Sequence, residues 1–86
     1  MRELEKVLKA LANRRRLAIL KYLKNHKEAP VGEIASEIKL SFKATSKHLS
    51  VLSAVDIVDR DQRSLRMFYR LAANQKPAVK RILDLL

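Results

Sequence analysis

The stretch Leu40-Ser41-Phe42-Lys43-Ala44-Thr45-Ser46-Lys47-His48-Leu49-Ser50-Val51-Leu52 decides how this chain is read. Ser41 is a strong helix N-cap, because its hydroxyl can accept a hydrogen bond from a free backbone N–H of the first turn. A helix is predicted from there to about Val55. At about 100° per residue, Phe42, Thr45, Leu49 and Leu52 gather on one side, with His48 at its edge. Lys43, Ser46, Lys47 and Ser50 gather on the other. The first set is expected to dock on the rest of the protein, Phe42 included. The second set carries two cations and two short hydroxyls and no acid. An ordinary solvated face mixes both signs of charge. A face of this kind suits a DNA major groove, where short polar groups approach base edges and lysines reach phosphates.

Working outward, Leu40-Ser41 is the turn after a short helix with Ile34, Ala35 and Ile38 inward. Pro30 marks where that helix begins, since proline disfavours helix before it and tolerates helix after it. Further upstream, Asn13 can cap a helix that carries Leu17, Leu20 and Leu23 on one side and ends around Asn25-His26. Before it, Leu4, Val7, Leu8 and Leu11 repeat at i, i+3, i+4 and i+7, the spacing of one apolar helix stripe. Downstream the period changes to two. Leu65, Met67, Tyr69 and Leu71 alternate with Arg66, Phe68 and Arg70, as in a half-buried strand. Ile57 to Arg60 is expected to pair with it through a turn at Asp61-Gln62-Arg63-Ser64. Asn74 and Pro77 open a last helix with Val79, Ile82, Leu83 and Leu86 in a second apolar stripe.

The expected order is helix-helix-helix-helix-strand-strand-helix: a mainly α fold with a small β-hairpin, the winged helix-turn-helix arrangement. Residues 1–86 are expected to form a single domain of this kind, with no repeat and no linker. Arg60, Arg63 and Arg66 fall at or near the hairpin tip, within reach of a minor groove or flanking phosphates. The expected DNA contacts are therefore Lys43, Ser46, Lys47, Ser50, Arg60, Arg63 and Arg66.

Charge supports a polyanionic partner. Nineteen Lys and Arg face nine Asp and Glu, a net charge of +10. RNA is a weaker fit than duplex DNA, because the sequence offers no aromatic platform for unstacked bases. The longest apolar run, Leu17-Ala18-Ile19-Leu20, is far too short to span a bilayer. Met1 to Leu11 is charged and amphipathic, unlike a secretory leader. No membrane association is expected, and the chain is read as cytoplasmic. The absence of cysteine excludes disulfides, thiolate metal sites and thiol redox sensing.

Two longer matches carry a family resemblance. Leu8-Lys9-Ala10-Leu11-Ala12-Asn13-Arg14-Arg15-Arg16-Leu17-Ala18-Ile19-Leu20 resembles the opening of ArsR-type (arsenic-repressor family) winged-helix regulators. Ser46-Lys47-His48-Leu49 followed by Leu52 is similar to that family's recognition-helix signature, and Phe68-Tyr69-Arg70-Leu71 to its second wing strand. The resemblance implies a homodimer joined by its first and last helices, and operator binding that blocks transcription. The dimer contacts would then be Leu4, Val7, Leu8, Leu11, Val79, Ile82, Leu83 and Leu86. The family's metal sites have no counterpart here: Ala29-Pro30-Val31-Gly32-Glu33-Ile34 offers no cysteine ligand, and the last helix offers only Asp84. Asp56 stands where the family has glycine after the recognition helix, a position that Asp can fill in the left-handed conformation.

The two histidines, His26 and His48, make a poor case for zinc. His48 is expected to pack at the core edge with a local hydrogen bond, and His26 to lie exposed. With one glycine, Gly32, a phosphate-cradling loop is excluded. No nucleophile has a base and orienter at recognisable spacing. No enzyme activity, cofactor or metal is expected. The alternative reading is a winged-helix module that binds a protein partner without operator specificity.

Overall fold

Two capping side chains set where the central helices begin. Asn13 Oδ1 accepts hydrogen bonds from the backbone N–H groups of Arg15 (2.9 Å) and Arg16 (3.1 Å), opening α2 (Arg14–Asn25). Ser41 Oγ accepts from the N–H of Ala44 at 3.1 Å, opening α4 (Phe42–Ala54). Each cap of this kind contributes about 1 kcal/mol.

The structure, a computed structural model, describes residues 1–86. Before α2 lies α1 (Arg2–Leu11), and between α2 and α4 lie β1 (Ala29–Pro30) and α3 (Val31–Ile38). After α4 come β2 (Val58–Arg63), β3 (Arg66–Leu71) and α5 (Pro77–Leu85). The fold is mainly helical with a small antiparallel sheet, as expected. A third strand joins the hairpin, and the sheet order is β1-β3-β2. Ala29 pairs with Tyr69 and Pro30 with Phe68. Two residues carry no periodicity, so nothing in the sequence marked β1. Its proline is tolerated because β1 is an edge strand.

The hairpin is longer than expected. Asp61, Gln62 and Arg63 belong to β2 and pair with Phe68, Met67 and Arg66. The loop is Ser64-Leu65, with Ser64 at φ 57°. Leu65 accordingly leaves the strand and stands 97% exposed. Polar residues hold strand geometry here because cross-strand partners outweigh their weak intrinsic preference.

The core draws on every helix. Val7 and Leu11 of α1, Ile19 and Leu20 of α2, Ile34 of α3 and Leu49 and Leu52 of α4 are buried together. Val58 and Tyr69 of the sheet and Val79 and Leu83 of α5 join them. Asp56 adopts φ 60° after α4, the left-handed conformation that the sequence asked of it. The last helix opens at Pro77, as expected; Lys76 is its N-cap, and Asn74 lies outside it. Lys24 Nζ donates to the Leu83 carbonyl at 2.9 Å and ties the end of α5 to α2. No helix is long and apolar enough to cross a membrane.

Candidate nucleic-acid interface

The α4 helix is fixed from beneath. Leu49, Leu52 and Thr45 are wholly inaccessible to solvent. The one polar group among them is satisfied, since Thr45 Oγ1 donates to the Ser41 carbonyl at 2.8 Å. With that side seated, Lys43, Lys47 and Ser50 are exposed and Ser46 is half-buried on the flank. The helix contains no acidic residue, and neither lysine is ion-paired. Both positive charges are therefore available to an external anion.

Phe42 departs from expectation. Its angular position pointed to the core, yet it is 62% exposed. It is the first residue of α4. A Cα–Cβ bond tilts toward the helix N-terminus, so this side chain leans off the end of the helix and past the core.

His48 packs at the edge of the core, but its hydrogen bond is not local. Arg16 Nη1 donates to His48 Nδ1 at 3.2 Å. The same guanidinium donates from Nε to the Ala10 carbonyl (2.5 Å) and from Nη2 to the Lys9 carbonyl (3.1 Å). Arg16 thus caps the end of α1 while holding α4 in place. Arg15 similarly reaches the Ile38 carbonyl at the end of α3, at 3.3 Å. Burial, followed by the positive charges of Arg16 and Arg15, keeps the His48 imidazole below its ordinary proton affinity. Within Arg14-Arg15-Arg16 the sequence showed only charge. A signal was present, however: three cations in a first helical turn oppose the helix dipole, so their placement calls for another reason.

The hairpin arginines do not come together. Arg63 and Arg66 are direct cross-strand neighbours, while Arg60 lies opposite Tyr69 and points to the other face of the sheet. Arg63 is held by its own protein. It donates to Glu28 Oε1 (3.0 Å) and Asp61 Oδ2 (3.0 Å), and approaches Glu28 Oε2 at 2.5 Å. Its guanidinium also sits 4.6 Å from the centre of the Phe68 ring, with Arg66 at 5.2 Å from the same centre. The hydrogen bond from Arg63 holds the Glu28 carboxyl below the usual carboxylate range. Arg60 and Arg66 remain exposed without ion-pair partners.

The eight apolar residues expected at a dimer contact divide. Val7, Leu11, Val79 and Leu83 are buried in the chain's own core, where they offer no surface to a partner. Leu4 and Leu8 are 42% and 48% exposed on the outer side of α1, while Ile82 and Leu86 are half-buried. Leu85, which lies outside that set, is 82% exposed. An ion pair between Lys76 and Glu3 at 3.7 Å brings the starts of α5 and α1 together. A shallow cavity of about 590 Å³ runs along the outer side of α1 between Met1, Leu4, Leu8 and Ala12.

No group of three or more His, Cys, Asp and Glu side chains is placed to hold a metal ion. His26 is exposed, donates from Nδ1 to the Tyr22 carbonyl at 2.9 Å, and stacks on the Tyr22 ring at 4.0 Å.

Comparison with known proteins agrees with this architecture. Residues 13–60 match the profile of the bacterial regulatory protein, arsR family. The transcriptional activator HlyU of Vibrio cholerae is 39% identical over 80 residues, which cover 93% of this chain and 70% of that protein. The structure of reduced HlyU superposes with a TM-score of 0.82 at 37% identity, covering 98% of this chain and 84% of that one. A homodimeric winged helix-turn-helix DNA-binding domain from Mycobacterium bovis, a possible ArsR-family regulator, superposes with a TM-score of 0.82 at 32% identity, over 96% and 73% of the two chains. The transcriptional repressor PagR of Bacillus anthracis does so at 0.78 and 27% identity, over 98% and 92%. The chain belongs to the ArsR family of winged-helix transcriptional regulators.

Proposed function

We infer that this chain is a sequence-specific, double-stranded DNA-binding repressor that acts as a homodimer in the cytoplasm, with residues 1–86 working as one winged-helix unit. The observation that carries this reading is the exposed face of α4. Lys43 and Lys47 are unpaired, Ser46 and Ser50 lie beside them on the same face, and the helix beneath is seated on a closed core. Such a face can enter a major groove without rearrangement. The serines are short enough for base edges, and the lysines long enough for phosphates. Arg60 and Arg66 add charge from the hairpin. Arg63 contributes little, being neutralised by Glu28 and Asp61.

Pairing through α1 and α5 is supported by Leu4, Leu8 and Leu85, which are apolar and exposed. A two-fold contact of this kind is isologous and would set two copies of α4 on successive half-sites. Repression needs nothing beyond occupancy of an operator that overlaps a promoter. The reading includes no thiol or metal sensor, and the absence of cysteine from the sequence supports it.

Selection of bound sequences from a random duplex pool tests this directly. The expected result is a palindromic site, bound with a steep salt dependence, that shuts off transcription in vitro when placed across a promoter. Leu8→Asp should sediment as a folded monomer and lose most operator affinity. Binding that shows neither sequence preference nor salt dependence would overturn the reading, and so would a Leu8→Asp chain that remains dimeric.

A further inference from the structure

Two large apolar side chains stand in solvent between α4 and the hairpin. Phe42 is 62% exposed and Leu65 97%. With Pro30, Val31, Gly32, Arg66 and Met67 they line one small cavity of about 170 Å³. Neither the core nor the capping of α4 uses the Phe42 ring. The first turn of a helix favours small polar or acidic residues, so a phenyl group in water at that position is left without a structural purpose.

Its position supplies one. Phe42, Ser46 and Ser50 are spaced i, i+4, i+8 and form a slanting row that turns about 40° at each step along α4, with Phe42 at its core-side end. The two serines of that row are the base-reading groups proposed above, and Phe42 extends the row to the N-terminal end. In a helix-turn-helix, that end of the recognition helix is the part that meets base edges. Only one apolar group is displayed by base pairs in the major groove, the C5 methyl of thymine. The charges around the ring fit the same occupant. Lys43 follows it directly in the helix and Arg66 stands across the cavity, and neither is ion-paired. A second copy of this chain would bring the same cations against them, on molecules that each carry +10.

We propose that Phe42 is a specificity-determining residue that covers the C5 methyl group of one thymine in each operator half-site. This rests on the DNA-binding reading and adds a base identity to it: thymine is required at one fixed position through an apolar contact, beside the positions read by Ser46 and Ser50.

The test replaces each thymine of the selected duplex by uracil, which removes the methyl group and nothing else. The wild-type chain should lose about fourfold in affinity per half-site at one position, the ratio expected for burial of a single methyl group. Phe42→Ala should bind thymine and uracil duplexes equally, with its affinity for random duplex and its salt dependence unchanged. Phe42→Leu, which keeps an apolar group, should retain part of the discrimination. Both variants should melt within a few degrees of the wild type, because the ring is exposed. Indifference of the wild type to uracil at every thymine would overturn the proposal, as would a Phe42→Ala chain that still penalises uracil. A change in sedimentation on Phe42→Ala with discrimination intact would identify the patch as a protein contact and likewise overturn it. If the wild type binds no duplex in a salt-dependent way, the DNA-binding reading itself falls; indifference to uracil with binding intact removes only the role of Phe42.

Discussion

The α4 helix holds Lys43 and Lys47 clear of every carboxylate, whereas the β2–β3 hairpin holds Arg63 between Glu28 and Asp61 and over the Phe68 ring. Both regions look cationic in the sequence. They differ in what lies underneath. The helix is seated on Leu49 and Leu52, so its exposed side chains are not needed for its own stability. The hairpin leaves the body of the protein with only Val58 and Tyr69 buried, and its outer residues stabilise one another. Arg63 and Arg66 are like charges placed directly opposite, an arrangement that is destabilising alone. Glu28, Asp61 and the ring of Phe68 offset it. Charge that stabilises a fold in this way is not free to neutralise a phosphate.

The largest expected difference between the two regions is in stability. Leu52→Ala should cost about 2–5 kcal/mol, the range for truncating a buried leucine. Met67→Ala, half-buried on the hairpin, should cost about 1 kcal/mol. Thermal or urea melts of both variants measure this, and equal costs would mean that the hairpin is as firmly anchored as α4.

The next difference is in salt dependence. Lys47→Ala should lower the slope of log affinity against log salt by about 0.9 per half-site, the share of one neutralised phosphate. Arg63→Ala should leave the slope nearly unchanged, because its charge is already committed to Glu28 and Asp61. Duplex binding at several salt concentrations separates the two. A slope as much reduced by Arg63→Ala as by Lys47→Ala would show that DNA draws this arginine away from its carboxylates.

The smallest effect is in acid, and it distinguishes the regions by where it begins. Folding lowers the proton affinity of His48 below its ordinary value of 6.5. The unfolded chain therefore takes up the proton first as the pH falls. The stability that neutral His48 contributes is whole above pH 6.5 and declines from there down to the lowered folded value. Glu28 is lowered from 4.5 by its hydrogen bond with Arg63. Its contribution is whole above pH 4.5 and is lost as the pH falls through its lowered value. An NMR pH titration should show the His48–Arg16 pair changing first and the hairpin responding only at lower pH. Simultaneous change in both would mean that they unfold as one unit. The Glu28 effect is small because the pair is solvent-accessible.

Much of this architecture could be read from residues near one another in the chain. Asn13 and Ser41 cap helices by bonding to N–H groups two or three residues away, so their roles follow from local sequence. The apolar stripes likewise located every helix, and the alternation from Met67 to Leu71 located β3. Asp56 was legible for the same reason, since a left-handed residue is a local requirement. Lys43, Lys47 and Ser50 of α4 fell on the exposed side, with Ser46 on its flank, because helix periodicity decides that side once the core side is known.

Contacts between distant segments decided the rest. β1 exists because Ala29 and Pro30 meet Tyr69 and Phe68, some forty residues away. Arg16 is structural because α2 brings it to the end of α1 and the side of α4 at once. Arg63 has its charge neutralised by Glu28, a residue that precedes β1. Val7, Leu11, Val79 and Leu83 were drawn into the core while Leu4 and Leu8 were left outside, a division that a stripe of leucines and valines does not specify. Phe42 faced the core by helical angle and solvent in the fold, because angle says which way a side chain points and only tertiary packing says whether anything is there to cover it.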